Sequence, residues 1–457
     1  MQPVSLWLTN RRTQPPDMVI TTPPANPRTQ LTVTQSAVIL KRFFFLEREL
    51  IYLKAGWLPG TSHWESKLLL PEIAWESSLL AKELRQRVLE LRYPERRIAI
   101  EGEEPLVAFF RRCGDAPTAV AFLTGLAFVV KPRILEIYRL YRSLSDQLDD
   151  GPTQRFLCHG ISDLERQIAR LQLTTRTAMD SMPEQADGAR QWERALAALF
   201  SQLPIDALFS DEPMTDNSEA SPLSGRLFAM ARIGARDPRF QRAAFAWPDR
   251  HTPSDPGQGL QLQARQAVHH INEVWAAEMA AACIWDLGPT APHEFLDDAA
   301  RWCYDEIRHC RMGYERLKEW GFADHEIPLD SFSYDSGQFL DPLTRLGIIF
   351  YFEATYIHTK KERTLIFAEL GDRLSSHDMD FDWADELIHT YYGKRWLEEL
   401  LKQHGSRRKL SDVKEDAKAA VIAKIAEASE QEKLLTKEIF DRVMKKMMTI
   451  QESTLAE

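Results

Sequence analysis

Two short motifs in the C-terminal half of the chain place a glutamate three residues before a histidine. They are Glu306-Ile-Arg-His309 and Glu386-Leu-Ile-His389. Residues three apart lie on the same side of an α-helix, so both side chains of a motif can reach one ion. Carboxylate and imidazole groups are ligands of divalent transition metals. The two motifs therefore predict metal-ligating residues on two separate helices.

Two further glutamates interrupt apolar faces of predicted helices. Glu353 lies between Phe350 and Ile357, and Glu278 lies in the apolar stretch before Trp285. A carboxylate is almost never fully buried unless it is paired or binds a metal, because desolvation is costly. Buried glutamates on several helices therefore require a cation. The candidate metal ligands, which are also the candidate catalytic residues, are Glu278, Glu306, His309, Glu353, Glu386 and His389.

The ligand on the first of these helices has an alternative, Glu273. Its distance from the Gly288-Pro289 turn matches the depth of Glu306 better than that of Glu278 does. Glu273 falls among polar residues, however, whereas Glu278 falls on an apolar stripe. We predict on burial that Glu278 is the ligand and that Glu273 orients a ligand or contacts substrate. Candidate residues of the substrate pocket nearby are Lys360, Tyr356 and His270.

The elements that must position these residues are helices. Helical periodicity accounts for nearly every ordered stretch, and no convincing alternating strand pattern is present, so we predict an all-α fold. Four long helices are expected at about 260–287, 292–320, 342–370 and 373–403. Two short connections and one long one suit an antiparallel four-helix bundle with a crossover.

Composition divides the rest of the chain around that bundle. Proline-rich stretches and changes in charge mark the boundaries. The predicted units are a flexible arm (1–33), an N-terminal helical domain (34–246), a linker (247–259), the dimetal bundle (260–405) and a charged amphipathic helical tail (406–457).

The motifs carry a resemblance. The region from about 262 to 403 resembles the ferritin-like superfamily, and in particular a bacterial family of ferritin-like proteins with no assigned function. The matching stretches are 269–278, 305–309, 352–353 and 385–389. The resemblance implies a ferritin-like four-helix bundle with a carboxylate-bridged dimetal centre, usually di-iron, that often activates dioxygen. It does not imply a substrate.

A fainter resemblance occurs in the N-terminal domain. Residues 150–168 resemble the approach to a metal-binding helix of ferritin-like proteins, with Glu165 in the place of a ligand. Where a histidine would follow, the chain has Ile168. One interpretation of this domain is therefore a degenerate second bundle that has lost its metal site.

Bulk properties exclude several classes of function. The net charge of −10 argues against nucleic-acid binding, which usually needs a basic excess. The longest apolar stretch, 119–130, is too short to span a membrane. The five cysteines lack paired spacing, which favours a reducing cytoplasm over a disulfide framework.

These observations predict a cytoplasmic non-haem di-iron oxidoreductase, such as a monooxygenase, that uses dioxygen on a small organic substrate. Manganese or a mixed manganese–iron pair would suit the same ligands. The chain has neither a glycine-rich dinucleotide fingerprint nor a cysteine cluster for iron–sulfur, so a redox partner or the substrate must supply electrons. The alternative function is non-catalytic metal storage or a metal-stabilised scaffold. A homodimer remains compatible with the sequence.

Overall fold

The structure, a computed structural model, describes residues 30–92, 97–203, 205–210, 223–225, 227–247 and 258–456. These residues are mostly helical and almost free of strand, which confirms the all-α prediction. Most of the predicted arm (1–33) and of the predicted linker (247–259) lies outside the described residues. Within the described part of the chain, no helix has both the length and the hydropathy needed to cross a membrane.

The N-terminal half is built on a long helical hairpin. Its helices are α1 (Val33–Trp57), α2 (Trp64–Leu91), α3 (Glu104–Arg111), α4 (Ala119–Gly125), α5 (Lys131–Leu144), α6 (Gly151–Ser181), α7 (Pro183–Ser201) and α8 (Ile205–Leu208). A π-helical turn, Leu126–Val130, joins α4 to α5. Thr32 and Gln35 form a capping box that fixes the start of α1.

The C-terminal half contains the four predicted long helices, with the first one broken in two. Its elements are α9 (Gly259–Asn272), α10 (Val274–Leu287), α11 (His293–Glu319), α12 (Phe332–Asp335), α13 (Pro342–Glu369), α14 (Arg373–Gln403), α15 (Leu410–Ala426) and α16 (Glu430–Ala456). Strand β1 (Gln241–Arg242) pairs in parallel with β2 (Pro328–Leu329), which lies in the long crossover before α13.

Helices α9–α10, α11, α14 and α13 form a closed ring in which each packs on the next. Asp341 caps α13, and Asp372 caps α14 by accepting a hydrogen bond from the amide of Ser375. Gly371 takes a positive φ of 76° in the tight turn between these two helices, where a side chain would be strained. The tail also packs on this chain, because α15 lies along α13.

The α1–α2 hairpin joins the two halves. Helix α1 is buried on nearly all sides, since it packs on α2 and also on α10. Helix α2 packs on α6 in the N-terminal half and on α11 in the ring. The buried apolar residues of both halves consequently form one continuous core. Helices α1 and α2 therefore cover the outer face of the ring on the side of α10 and α11.

Gly313 of α11 marks the closest approach between two helices of the ring. A methyl group added there would collide with the backbone of Ala267 and Ile271 in α9. Neither contact atom belongs to a flexible side chain, so the helices themselves would have to separate.

We therefore expect Gly313→Ala to destabilise the protein by about 1–3 kcal/mol through overpacking. Gly188→Ala is the matched control, since Gly188 is exposed on α7 and a methyl group there meets no neighbour. That change should raise stability by up to about 1 kcal/mol, because alanine favours the helix. Chemical denaturation of both variants measures the difference. Equal stability of the two variants would contradict the close packing of α9 and α11.

Candidate metal centre

The interior of the helical ring holds a cluster of carboxylate and imidazole groups. Glu306 and His309 project from α11, Glu353 from α13, and Glu386 and His389 from α14. These five predicted ligands are at most 5% exposed. The structure thus brings five of the six predicted residues together.

The remaining position is occupied by Glu273, at the break between α9 and α10. Groups of ligand atoms within 4.8 Å of one another are Glu306–Glu353–Glu386–His389, Glu273–Glu306–His309, His309–Asp382–Glu386 and His270–Glu273–Asp382. Glu306 and Glu386 each belong to a group with either histidine, which suits carboxylates that bridge two ions. Among the described residues, Glu278 joins none of these groups.

The backbone explains why helical periodicity favoured the other glutamate. Glu273 has φ −64° and ψ −3°, and its amide donates to the carbonyls of His269 and His270. This break changes the phase between α9 and α10, so a single helical wheel drawn through both helices misplaces one of them. Glu273 faces the cluster, and its side chain is 19% exposed.

Glu278 serves another purpose, as the anion of a buried ion-pair network. Its carboxylate is fully buried and contacts Lys67 of α2 and Arg236, whose Nη1 lies 2.7 Å from Oε1. A buried carboxylate does require a cation, as the sequence indicated, but here two protein side chains supply it. The network joins α10 to α2 and to the segment that precedes β1.

Each histidine is oriented by an aspartate from the opposite helix. His309 Nε2 lies 3.3 Å from Asp385 on α14, and His389 Nε2 lies 3.4 Å from Asp305 on α11. Donation from Nε2 to a carboxylate places the proton there and leaves the Nδ1 lone pair for a metal. Each aspartate directly precedes the glutamate of its motif. The repeated Asp-Glu-x-x-His pattern could therefore have identified the aspartates from the sequence, although sequence reasoning gave them no role.

The inward-facing histidine nitrogens lack hydrogen bonds. Nδ1 of His309 and Nδ1 of His389 are buried and unpartnered, as is Oε2 of Glu273. His309 Nδ1 lies 3.3 Å from that Oε2, and His389 Nδ1 lies 3.2 Å from Glu306 Oε1. Buried polar atoms are almost always hydrogen-bonded, so three buried atoms without a hydrogen bond, each belonging to a residue of the cluster, fit ligand atoms of a metal.

The charges of the buried side chains also favour a site for metal ions. Asp305 and Asp385 are balanced by two arginines, Arg301 and Arg308, which contact both of them. The inner cluster holds five carboxylates, those of Glu273, Glu306, Glu353, Asp382 and Glu386, and one ammonium, that of Lys360. With neutral histidines, five negative charges against one positive leave four. Two divalent cations would supply that charge.

The carboxylates also perturb one another and the imidazoles. Burial lowers the pKa of both histidines, but the surrounding carboxylates outweigh it and raise the pKa of His309 and His389 well above the usual value. Burial and the charge of Glu306 raise the pKa of Glu353 to about 7. Both shifts show a site that is short of positive charge.

Two residues that sequence reasoning did not assign as ligands complete the inner cluster. Asp382 lies one turn before Glu386 on α14 and is fully buried. Its spacing of four residues from Glu386 places it on the same inward face of the helix, and this spacing could have identified it from the sequence. Trp302 donates from its indole to Glu306 at 3.0 Å and to Glu353 at 3.2 Å, and it stacks on His389. The indole therefore fixes two carboxylates and one imidazole.

The predicted pocket residues all lie beside the cluster. Lys360 Nζ lies 2.7 and 2.8 Å from the oxygens of Asp382 and 2.9 Å from Glu386. His270 Nε2 lies 3.4 Å from Asp382. Tyr356 lines a cavity of about 880 Å³ that reaches Glu273, Glu306, Glu353 and Glu386.

The N-terminal half shows no comparable cluster among its described residues. Glu165 is exposed and pairs with Arg139, so it does not face the interior. The corresponding interior holds protein cations instead. Lys131 Nζ lies 2.8 Å from Gln167, and Lys54 Nζ lies 2.7 Å from Ser77.

Comparison with protein families found one match. Residues 215–436 are similar to a family described as protein of unknown function, DUF455. The matched region contains the four helices of the ring, every residue of the inner cluster and α15. Comparisons with curated proteins and with solved structures found no matching protein.

The two glutamates at the start of the ring give a sharp test. We expect Glu273→Ala to weaken iron binding, because Glu273 faces His309 and the cluster. Glu278→Ala should keep the ligand set but lower the free energy of unfolding by about 3–5 kcal/mol, since it leaves Lys67 and Arg236 buried without an anion. Iron titration and chemical denaturation of both variants measure the two effects. Loss of iron only in Glu278→Ala would show that the ligand assignment is wrong.

Proposed function

We propose that this protein is a non-haem di-iron oxidoreductase that uses dioxygen to oxidise a small organic substrate. The observation that carries the proposal is the pair of buried Nδ1 atoms without a hydrogen bond, within a cluster that would have four surplus negative charges when both histidines are neutral metal ligands. A ligand set rich in carboxylates and free of sulfur favours iron, with manganese as the alternative.

The ligand groups suggest how the residues would divide between two ions. His309 and Glu273 would hold one ion, and His389 and Glu353 would hold the other, with Glu306 and Glu386 shared. This is the ligand inventory of carboxylate-bridged bundles: a glutamate from each of two helices and a Glu-x-x-His motif from each of two others. When bound, two iron ions supply the redox chemistry that dioxygen activation needs and that amino-acid side chains lack.

The chain's own contribution is to orient the ligands and to exclude water. Asp305 and Asp385 keep the proton on Nε2 of the two histidines, so that both Nδ1 atoms face inward. Trp302 holds Glu306 and Glu353 from the apolar side. Lys360 donates to both oxygens of Asp382 and forms an ion pair with Glu386, which restrains that carboxylate. The buried ring around these groups provides a site of low dielectric.

The cavity beside the cluster favours an enzyme over a storage protein or a scaffold. Its volume of about 880 Å³ is within the range of small-molecule sites, and four of the cluster's carboxylates form part of its wall. A metal-storing or purely structural centre needs no room for an organic molecule beside its ligands. Electrons beyond those of the substrate would come from a partner protein.

Dioxygen consumption tests the function. Protein reconstituted anaerobically with ferrous iron should bind close to two ions per chain and consume dioxygen on mixing. Glu306→Ala should lose at least one ion and this consumption, because Glu306 contributes to both ligand groups. Metal analysis and an oxygen electrode measure the two quantities.

Glu165→Ala is the matched control, since Glu165 is an exposed helical glutamate of the N-terminal half. It should retain both the iron and the dioxygen consumption. Wild-type protein that binds two ions but leaves dioxygen untouched would favour storage or a scaffold. Wild-type protein that binds no iron would contradict the site itself.

A further inference from the structure

The outer face of α14 carries a row of mostly apolar side chains. The row, called the outer seam below, consists of Leu374, His377, Phe381, Ala384, Ile388 and Tyr391, all of which are exposed among the described residues. Its four large hydrophobic side chains are between 39% and 60% exposed. A surface helix normally turns polar residues outwards, and a contiguous apolar patch marks an interaction site. The outer seam therefore requires a partner.

The spacing of the outer seam indicates what kind of partner fits it. The intervals between successive residues of the seam alternate between three and four, which gives a mean repeat of 3.5 residues. This repeat keeps one row of side chains facing a second helix along its whole length, as in a coiled coil. The seam covers about 25 Å of α14. The partner surface is thus a helix of similar length.

Charges along one edge of the outer seam identify that helix as a second copy of α14. Asp380 and Lys394 are exposed and lie seven residues before and seven residues after Leu387, which is 53% exposed. Residues seven apart lie on the same edge of a helix-pairing seam. If two copies of α14 pack antiparallel about a two-fold axis at Leu387, each Asp380 faces the partner's Lys394. Parallel packing would bring like charges together.

We propose that the outer face of α14 is the interface of a homodimer, in which the α14 helices of two chains pack antiparallel about a two-fold axis near Leu387. The small side chain of Ala384 lets the two helices approach closely beside that axis. Helices α1 and α2 already cover the ring on the side of α10 and α11. The second copy covers the side of α14.

The dimer has a consequence for the metal centre, although its formation depends on no metal. The inner face of α14 carries Asp385, Glu386 and His389, which belong to the cluster or orient it. Dimerisation restrains this helix from its outer face. The clusters of the two chains then lie on opposite sides of one helix pair.

Analytical ultracentrifugation of the full-length protein at micromolar concentrations tests the interface. The wild-type protein should sediment with twice the mass of one chain. Leu387→Asp should weaken dimerisation by at least about 30-fold, because two carboxylates then meet on the axis in place of two apolar side chains. Its helix content and unfolding midpoint should stay at the wild-type values, since Leu387 packs against no core in the single chain.

Leu173→Asp is the matched control, because Leu173 is a 68% exposed leucine on α6 of the N-terminal half. This variant should remain a dimer. A wild-type protein that stays monomeric would overturn the proposal, since another part of the chain or a different protein would then cover the outer seam. A dimer that persists in Leu387→Asp would also overturn it.

Exchanging the two charges tests the antiparallel arrangement. Asp380→Lys and Lys394→Glu should each weaken dimerisation by about 5- to 30-fold, because two ion pairs become two contacts between like charges. The double variant should return to within about 3-fold of the wild-type affinity, since both pairs form again with their signs reversed. Single variants that dimerise like the wild type, or a double variant as weak as the single ones, would overturn the antiparallel pairing.

Discussion

The architecture depends on one electrostatic constraint: several carboxylates are buried side by side between helices. The five carboxylates come from all the helices of the ring and are those of Glu273, Glu306, Glu353, Asp382 and Glu386. The ammonium of Lys360 contacts two of them, Asp382 and Glu386. Such a group of like charges is unstable in a low-dielectric interior unless cations compensate it. Every neighbouring feature can be understood as a response to that requirement. The aspartates direct the histidine lone pairs inward, and the arginines outside the cluster neutralise those aspartates.

The N-terminal half holds the ring in place rather than repeating its chemistry. The α1–α2 hairpin covers the outer faces of α10 and α11, and the buried network of Glu278, Lys67 and Arg236 connects the two layers. This arrangement explains why one chain contains two kinds of buried carboxylate. Protein side chains satisfy Glu278, whereas the cluster retains a deficit of positive charge and unpartnered Nδ1 atoms. The difference lies in the partners and not in the depth of burial.

Much of this could be predicted from the sequence, because helical periodicity and the Glu-x-x-His spacing are local properties. The boundaries of α11, α13 and α14 agree with the predicted helices to within one or two residues, and their inward stripes contain the predicted glutamates and histidines. The position on the first helix could not be predicted in the same way. The break at Glu273 shifts the helical phase between α9 and α10. The cations that neutralise the buried carboxylate of Glu278, Lys67 and Arg236, are distant from it in sequence. Long-range contacts likewise place α15 against α13 and Lys360 against Asp382, and no local pattern encodes them.

The central claim is that two metal ions, rather than protein cations, balance the inner cluster. Diffraction from crystals of iron-reconstituted protein, recorded on both sides of the iron absorption edge, tests that claim most directly. The account predicts two anomalous peaks inside the ring, one beside Nδ1 of His309 and one beside Nδ1 of His389, with Glu278 still bound to Lys67 and Arg236. The absence of anomalous density between these histidines, or a peak beside Glu278, would contradict it.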